Sequence, residues 1–213
     1  MNKRLTGTDA QAYLDLVDWR RRVGDLYRLR GPDVLARFRG GRDDLFRSHP
    51  QSPIEPDQRS TFKGLRYFEP DPSYRVTATF EPGDRSELLI DTGGEDGAVR
   101  YRRAGHLAFS LSGQACRLTV LSLVQYAGGL FVPFRDATSG RETYGGGRYL
   151  FDTAKDTDGL VLEIEAGSPT VVLDFNYAYN ASCAYSPRWA CPLAPPENHL
   201  RVAVRAGELT YKT

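Results

Sequence analysis

The chain is organised around one irregular stretch, DFNYAYNASCAYSPRWACPLAPPEN (residues 174–198). This stretch holds four prolines, two cysteines, three asparagines and four large aromatic side chains other than Phe175. A loop normally runs over the surface and is polar, and this loop carries too much apolar area for that position. We therefore expect it to pack against a second irregular stretch, FVPFRDATSGRETYGGGRY (residues 131–149).

The sequence around these two stretches has the two-residue period of β-strands. Tyr74, Val76, Ala78 and Phe80 alternate with polar residues, which is typical of a half-buried strand. Further strands are expected near residues 88–90, 99–103, 107–111, 116–124, 130–134, 148–151, 160–165, 170–175, 199–205 and 209–211. A sheet of that many strands usually curls or closes. The predicted fold class is therefore mainly β, an antiparallel meander curled into a barrel or a two-layer sandwich.

The first part of the chain has a helical period instead. Leu16, Trp19, Val23 and Leu26 fall on one stripe, which predicts a helix over residues 9–29. A second, short helix is expected to begin near residue 32 and to be broken at residues 40–41, where two glycines follow each other. We expect residues 1–50 to form a helical segment packed outside the sheet and residues 51–213 to form the β domain, in a single structural domain.

The composition excludes several classes of function. The chain has 28 Lys and Arg residues against 27 Asp and Glu residues, so its charge gives no argument for binding nucleic acid or an anionic membrane. No run reaches the roughly 20 apolar residues of a membrane span, and the first residues lack the apolar region of a signal peptide. A cytoplasmic protein with reduced cysteines is expected.

Several motifs resemble the DUF1684 family. They are FKGLRYF (62–68), LFVPFRDATSGRETYGGGRYL (130–150), DFNYAYN (174–180), CAY (183–185), CP (191–192), PPEN (195–198) and AGE (206–208). The family is a bacterial and archaeal domain of unknown function, so the resemblance implies kinship and no particular chemistry. The chain departs from the family before the first cysteine, where the family commonly has Asn-Pro and this chain has Ala181-Ser182 after Asn180.

The charged residues of 131–149 are the first candidates for chemistry. Asp136 and Glu142 could act as an acid or a base, while Arg135 and Arg148 could bind the anionic part of a substrate. The alternative is a surface salt-bridge network under a turn, because surface ion pairs are common and contribute only about 0–1 kcal/mol. The three glycines before Arg148 indicate a β-bulge or a close strand crossing rather than a phosphate-binding loop.

Polar and aromatic side chains of both stretches complete the candidate site. Glu197 could be a third site acid or the partner of a loop arginine, and the tyrosines could line a pocket or pack in the core. The asparagines could hold a ligand, although capping of an irregular backbone is favoured. The predicted ligand-binding residues are Arg135, Tyr144, Arg148, Tyr149, Asn176, Asn180 and Asn198.

Two functional hypotheses follow. In the first, the two stretches roof a pocket in which a polar or anionic small molecule is bound, with Asp136, Glu142 or Glu197 moving a proton in a hydrolase or isomerase reaction. In the second, they form a structural lock in a non-catalytic interaction module. Neither hypothesis needs a cofactor or a metal. The spacing of Cys183 and Cys191 is not that of a zinc or redox motif. A disulfide between them is possible if the loop doubles back, but a reducing compartment disfavours it, and two packed thiols are expected. The sequence indicates no oligomeric state.

Overall fold

The computed structural model describes residues 7–95, 97–124 and 128–211. These residues form a nine-stranded antiparallel sheet. The strands are β1 (Arg75–Pro82), β2 (Glu87–Asp91), β3 (Ala98–Leu111), β4 (Gln114–Leu123), β5 (Leu130–Phe134), β6 (Arg148–Asp152), β7 (Leu162–Ile164), β8 (Thr170–Asp174) and β9 (Tyr179–Asn180).

The sheet curls into a half-barrel, which confirms the predicted fold class. The strand order is β7-β8-β1-β3-β4-β5-β6-β9, and β2 pairs with β3. The order departs from a simple meander because β8 returns to β1 and β9 returns to β6. After β6 the chain crosses to the opposite edge of the half-barrel to form β7 and β8, and it then crosses back to form β9. The connection from β8 to β9 begins the central irregular stretch.

Two helices pack beside the half-barrel, α1 (Gly7–Tyr27) and α2 (Val34–Ser48). Their apolar faces join the main core, where the ring of Phe38 lies 4.9 Å from that of Tyr27 and 5.0 Å from that of Tyr177. None of the helices in the described ranges is long and apolar enough to cross a membrane.

The predicted break of the second helix at residues 40–41 is wrong, because α2 runs through both glycines. A glycine costs a helix about 1 kcal/mol relative to alanine, which tertiary packing can override. At Gly41 a β-carbon would press into the side chain of Leu26. The missing side chain therefore allows α1 and α2 to approach closely.

The predicted strands over residues 199–205 and 209–211 are also wrong, since these residues form no β-strand in the structure. Its side chains still alternate, with Leu200, Val202 and Val204 buried. Isolated bridges join Tyr67 to Glu208 and Arg135 to residue 199. The segment is thus extended and half-buried. Residues 198–202 make backbone hydrogen bonds to residues 135–137, and side chains described below bind the peptide groups that follow.

Candidate functional site

The two irregular stretches meet, as expected from their apolar content. β6, at the end of the first stretch, pairs with β9 in the second, with Arg148 opposite Asn180 and Tyr149 opposite Tyr179. The hydroxyl of Tyr149 donates a hydrogen bond of 2.7 Å to the carbonyl oxygen of Pro192. The junction is therefore built from backbone pairing and buried side chains.

Arg148 forms an ion pair inside the protein. Both its side chain and that of Asp136 are 1% exposed, and 2.8 Å separates Nη2 of Arg148 from Oδ2 of Asp136. Nη2 also donates to the carbonyl oxygen of Val204 at 2.8 Å, and Nη1 donates to those of Ala206 and, at 3.3 Å, Glu208. Burial lowers the pKa of the Arg148 guanidinium, and the Asp136 carboxylate acts in the opposite direction. The guanidinium thus binds three carbonyls of the extended segment that follows residue 199.

Both oxygens of the Asp136 carboxylate are also bound by groups of the protein. Its Oδ1 accepts hydrogen bonds from the backbone N–H of Thr138 at 2.8 Å, from the Thr138 hydroxyl at 2.6 Å and from the backbone N–H of Val204 at 3.2 Å. Such contacts are those of a carboxylate that holds backbone segments together. The acid or base role of Asp136 and the anion-binding role of Arg148 stay predictions, and these contacts lend them no support.

The other two candidate carboxylates face different guanidinium groups nearer the surface. Glu142 accepts a hydrogen bond of 3.0 Å from Nε of Arg205. Glu197 accepts from Nε and Nη2 of Arg103 at 2.8 and 2.9 Å. Arg135 is exposed. In the described part of the chain each of the three candidate carboxylates is therefore paired with a different arginine. No contact between described residues joins the three carboxylates into one site.

Two of the candidate asparagines cap the backbone. Asn176 accepts from the N–H of Asp71 at 3.1 Å and donates to its carbonyl oxygen at 2.9 Å. Asn198 accepts from the N–H of Thr119 at 2.7 Å and donates to the carbonyl oxygens of Thr119 at 2.9 Å and Pro133 at 2.7 Å. These contacts match the capping alternative, since every amide atom serves a peptide group.

Sequence reasoning missed a second buried carboxylate, that of Glu208, whose side chain is 1% exposed. Its Oε1 lies 2.5 Å from Nη2 of Arg42, and its Oε2 accepts from the hydroxyl of Tyr185 at 2.5 Å and the backbone N–H of Asn180 at 2.8 Å. Burial disfavours the charged form of Arg42, but the Glu208 carboxylate outweighs it and raises the pKa of Arg42 well above its usual value. The only signal in the sequence was the AGE motif, because the two partners are 166 residues apart.

Three residues that contact Glu208 also line a cavity of about 140 Å³, here called the helix–loop cavity. Its wall comes from α1, α2, residues 51–53 after α2, the start of β6, residues 155–157 after β6, and the second irregular stretch. The lining residues are Leu16, Trp19, Arg20, Val23, Arg42, Phe46, Gln51, Pro53, Tyr149, Lys155, Thr157, Tyr179, Asn180, Ala181, Ser182, Tyr185, Trp189 and Cys191. Of the predicted ligand-binding residues, Tyr149 and Asn180 line this cavity, whereas Arg135, Tyr144, Arg148, Asn176 and Asn198 do not.

The side chains that line the helix–loop cavity are biased towards basic and aromatic types. It contains three basic and six aromatic side chains, and none of the described lining residues is Asp or Glu. Lys155 is half-buried, with Nζ 2.9 Å from Oδ2 of Asp152 and 5.5 Å from the centroid of the Tyr149 ring. Arg20 is exposed and Arg42 is buried, so the basic groups span the depth of the cavity.

Two of the lining residues keep buried polar atoms without a hydrogen-bond partner among the described residues, Nε of Arg42 and Oδ1 of Asn180. The orientation of the Asn180 amide is fixed because its Nδ2 donates to the carbonyl oxygen of Leu209 at 2.8 Å. An unpaired buried polar atom costs about 1–3 kcal/mol. Both residues line the helix–loop cavity, but the two unpaired atoms themselves have almost no accessible surface, so they mark unused hydrogen-bonding capacity beside the cavity. The described residues contain no cluster of three or more His, Cys, Asp or Glu side chains that could hold a metal ion.

The glycine before Arg148 allows β5 and β6 to approach each other closely where Phe134 pairs with Arg148. Gly147 has φ +91°, and a β-carbon there would press into the carbonyl oxygen of Phe134. We expect Gly147→Ala to lower the free energy of unfolding by about 1–3 kcal/mol, the usual cost of a side chain in this backbone conformation, measured by urea denaturation. Gly145→Ala is the matched control, because the nearest atom to its β-carbon is 3.7 Å away. Equal unfolding midpoints for the two variants would contradict this account.

Comparison with known proteins places the chain among uncharacterised relatives. Residues 60–209 match the family model described as a protein of unknown function, DUF1684. The solution NMR structure of an uncharacterised protein from Haloarcula marismortui is 39% identical, with a TM-score of 0.61, over 84% of this chain and 94% of that one. No curated protein matches the chain. Since the matched region includes β1 to β9 and both irregular stretches, the chain belongs to the DUF1684 family.

Proposed function

We propose that this protein binds a small, planar organic anion in the helix–loop cavity. The observation that carries the proposal is a cavity wall of three basic and six aromatic side chains. Two of its residues, Arg42 and Asn180, also keep a buried polar atom without a partner among the described residues. The size, the charge and the free donor and acceptor each restrict the ligand.

The volume of the cavity sets the size of the molecule. An apolar cavity of about 150 Å³ holds one benzene molecule, and the helix–loop cavity has about 140 Å³. Aromatic walls favour a flat ring, which can meet them in stacked or edge-on contacts. One aromatic ring with a small substituent is therefore the expected scale of the ligand.

The charge of the wall selects an anion. Arg42 is neutralised by Glu208 and Lys155 is paired with Asp152, but neither carboxylate belongs to the lining. Arg20, by contrast, has no ion pair among the described residues. A carboxylate on the ligand would thus face the basic ends of three side chains, which favours it over a neutral molecule of the same shape.

The unpaired atoms select the remaining groups of the ligand. Nε of Arg42 carries a hydrogen that an oxygen of the ligand could accept, and Oδ1 of Asn180 could accept a hydrogen from a hydroxyl or an amine. A planar acid that also carries a hydroxyl would satisfy both. Because both side chains are more than nine-tenths buried, these two bonds would form away from competing water.

The proposal is one of binding. The lining has neither a carboxylate nor a histidine, the side chains that most often act as an acid or a base in enzymes. A hydrolase or isomerase reaction through Asp136, Glu142 or Glu197 therefore stays a prediction. The ion pairs of Asp136 with Arg148 and of Glu142 with Arg205 instead favour the structural-lock alternative for that part of the chain.

Calorimetric titration with benzoate, 4-hydroxybenzoate and the neutral benzamide tests the proposal. We expect benzoate to bind about tenfold more tightly than benzamide, because charge-assisted hydrogen bonds are roughly twice as strong as neutral ones. The added hydroxyl of 4-hydroxybenzoate should tighten binding further if it reaches Asn180. Arg20→Gln and Lys155→Gln should each weaken benzoate binding several-fold, and the loss should shrink as salt rises.

The neighbouring residue on α1 supplies the matched control. Arg21 does not line the helix–loop cavity, so Arg21→Gln should leave the benzoate affinity unchanged while altering the net charge by the same amount. The proposal fails if benzoate does not bind, or if Arg20→Gln, Lys155→Gln and Arg21→Gln all have the same affinity.

A further inference from the structure

A second cavity, here called the half-barrel cavity, has a volume of about 210 Å³ and shares no lining residue with the helix–loop cavity. Its residues come from the ends of β1, β6 and β7 and from the starts of β5 and β8, together with β3 and β4. Antiparallel pairing brings these ends of the strands to the same side of the sheet. The cavity therefore lies at one mouth of the half-barrel, which is a common place for a ligand site.

The wall of the half-barrel cavity is apolar. Nine of its ten lining residues have apolar side chains, and the tenth is Ser168. Leu107, Val120 and Phe151 are at most 2% exposed and form the floor, whereas Ile164 is 69% exposed and lies at the rim. A molecule that covers this rim and fills the space above the floor would remove apolar surface from water, which is favourable.

The cavity is open because the sheet does not close into a barrel. β7 pairs with β8, and within the described residues no strand pairs with the other edge of β7. Leu130 of β5 and Phe151 of β6 line the same cavity as Leu162 and Ile164 of β7. Since β5 and β7 are separated by four strands in the order of the sheet, the cavity spans the gap that a closed barrel would not have.

The charges at the rim restrict what can occupy the cavity. Glu163 and Glu165 flank Ile164 in the sequence. Glu163 is paired with Arg75 at 2.6 Å, while Glu165 is exposed and has no ion pair among the described residues. The carbonyl oxygen of Glu165 accepts a hydrogen bond of 3.1 Å from the N–H of Ser168, so this residue belongs to the turn that completes the rim.

These glutamates disfavour two of the possible occupants. An anionic head group at the rim would be repelled by the carboxylate of Glu165. A second copy of the chain that paired with the free edge of β7 would bring the same glutamates of both copies together, and like charges on neighbouring strands are destabilising. An uncharged apolar molecule meets neither obstacle.

We propose that the half-barrel cavity binds the chain of a small, uncharged alkyl molecule and leaves the polar end of that molecule in solvent at the rim. A cavity of about 150 Å³ holds benzene, which has six carbon atoms, so a volume of 210 Å³ corresponds to roughly eight carbon atoms. The site is independent of the anion site proposed for the helix–loop cavity, because the two cavities differ in lining and in charge.

Calorimetric titration with 1-butanol, 1-hexanol, 1-octanol and 1-decanol tests the proposal. The affinity should rise about fourfold for each added CH₂ group, which is the usual effect of burying one. The rise should level off beyond roughly eight carbon atoms, where the cavity is full. Nuclear Overhauser effects between the terminal methyl group of 1-octanol and the methyl groups of Leu107 and Val120 should locate the chain on the floor of the cavity.

Two exposed side chains provide a matched pair of variants. Ile164 on β7 is 69% exposed and Leu89 on β2 is 65% exposed, but Leu89 does not line the half-barrel cavity. Ile164→Asp should weaken the binding of 1-octanol about tenfold, because it replaces apolar surface at the rim with a charge. Leu89→Asp makes the same chemical change elsewhere on the sheet and should bind 1-octanol like the wild type.

The proposal is overturned if 1-octanol shows no saturable binding up to its solubility limit, if affinity does not rise with chain length, or if Ile164→Asp and Leu89→Asp bind 1-octanol equally. Phosphatidylcholine vesicles present the same chains in a membrane, and the protein should stay in the supernatant when they are pelleted. Co-sedimentation would overturn a site for free molecules. Benzoate and 1-octanol should bind without competition, so the failure of one proposal is distinguishable from that of the other.

Discussion

Arg148→Met is expected to lower the free energy of unfolding by about 3–5 kcal/mol, the cost of removing one partner of a buried ion pair. The carboxylate of Asp136 would remain 1% exposed without its guanidinium. The carbonyl oxygens of Val204, Ala206 and Glu208 would also lose their donor. Methionine preserves most of the length and apolar bulk of the side chain, so the loss reports on charge and hydrogen bonds. Urea denaturation followed by circular dichroism measures it.

A double-mutant cycle separates the ion pair from the packing. Asp136→Asn keeps an acceptor for the N–H groups of Thr138 and Val204 but removes the charge. In the double variant with Arg148→Met no unpaired charge is buried, so it should be more stable than the sum of the two single losses predicts, by at least about 1 kcal/mol. Arg205→Met, which opens the exposed pair with Glu142, should leave the urea midpoint unchanged. A wild-type midpoint for Arg148→Met would show that Arg148 is not structural and would return it to the candidate ligand-binding residues.

The role of Arg148 also explains an error in the predicted strands. The alternation of Leu200, Val202 and Val204 correctly indicated an extended segment with one buried face. Sequence periodicity reports which face is buried but not which groups satisfy the backbone. Here the guanidinium of Arg148 and the carboxylate of Asp136 bind peptide groups that a neighbouring strand would otherwise pair. The segment therefore has the burial of a strand but only a short run of backbone pairing, to residues 135–137.

The candidate site was predictable only in part, for a similar reason. The apolar content of residues 174–198 correctly indicated that this stretch packs against residues 131–149, and it contributes Tyr179, Asn180 and Cys191 to the cavity. The arginine partners of the carboxylates were not predictable, because ion pairs such as Arg42–Glu208 depend on tertiary contacts across 166 residues. The contribution of α1 to the cavity was missed as well, since a regular amphipathic stripe that includes Trp19 gives no sign that part of it faces a cavity.

Glu208→Gln is expected to reduce both the stability of the protein and its affinity for benzoate. The carboxylate is the counter-charge of Arg42 and accepts from the hydroxyl of Tyr185 and the backbone N–H of Asn180. Glutamine keeps one acceptor oxygen and turns an NH₂ group towards at least one of these donors. Arg42 would be left with an uncompensated buried charge, which costs about 3–5 kcal/mol of unfolding free energy.

The effect on binding follows from the position of the three partners. Arg42, Tyr185 and Asn180 all line the helix–loop cavity, while Glu208 does not. Without the Glu208 carboxylate, these three groups would no longer be held in fixed positions. At a temperature where the variant is still folded, benzoate should therefore bind more weakly, even though removing a nearby negative charge would by itself favour an anion. Weaker benzoate binding would thus show that Glu208 positions the binding groups, whereas tighter binding would show that it acts mainly through its negative charge.

Glu197→Gln is the matched control for Glu208→Gln. It removes the same charge from a carboxylate that is paired with Arg103 near the surface and lies outside the cavity lining. We expect its urea midpoint and its benzoate affinity to stay close to those of the wild type. If Glu208→Gln matches the wild type in stability, the contact of Glu208 with Arg42 is not what holds α2 to the segment around residue 208. If it binds benzoate more tightly, Glu208 opposes the anion instead of positioning the groups that bind it.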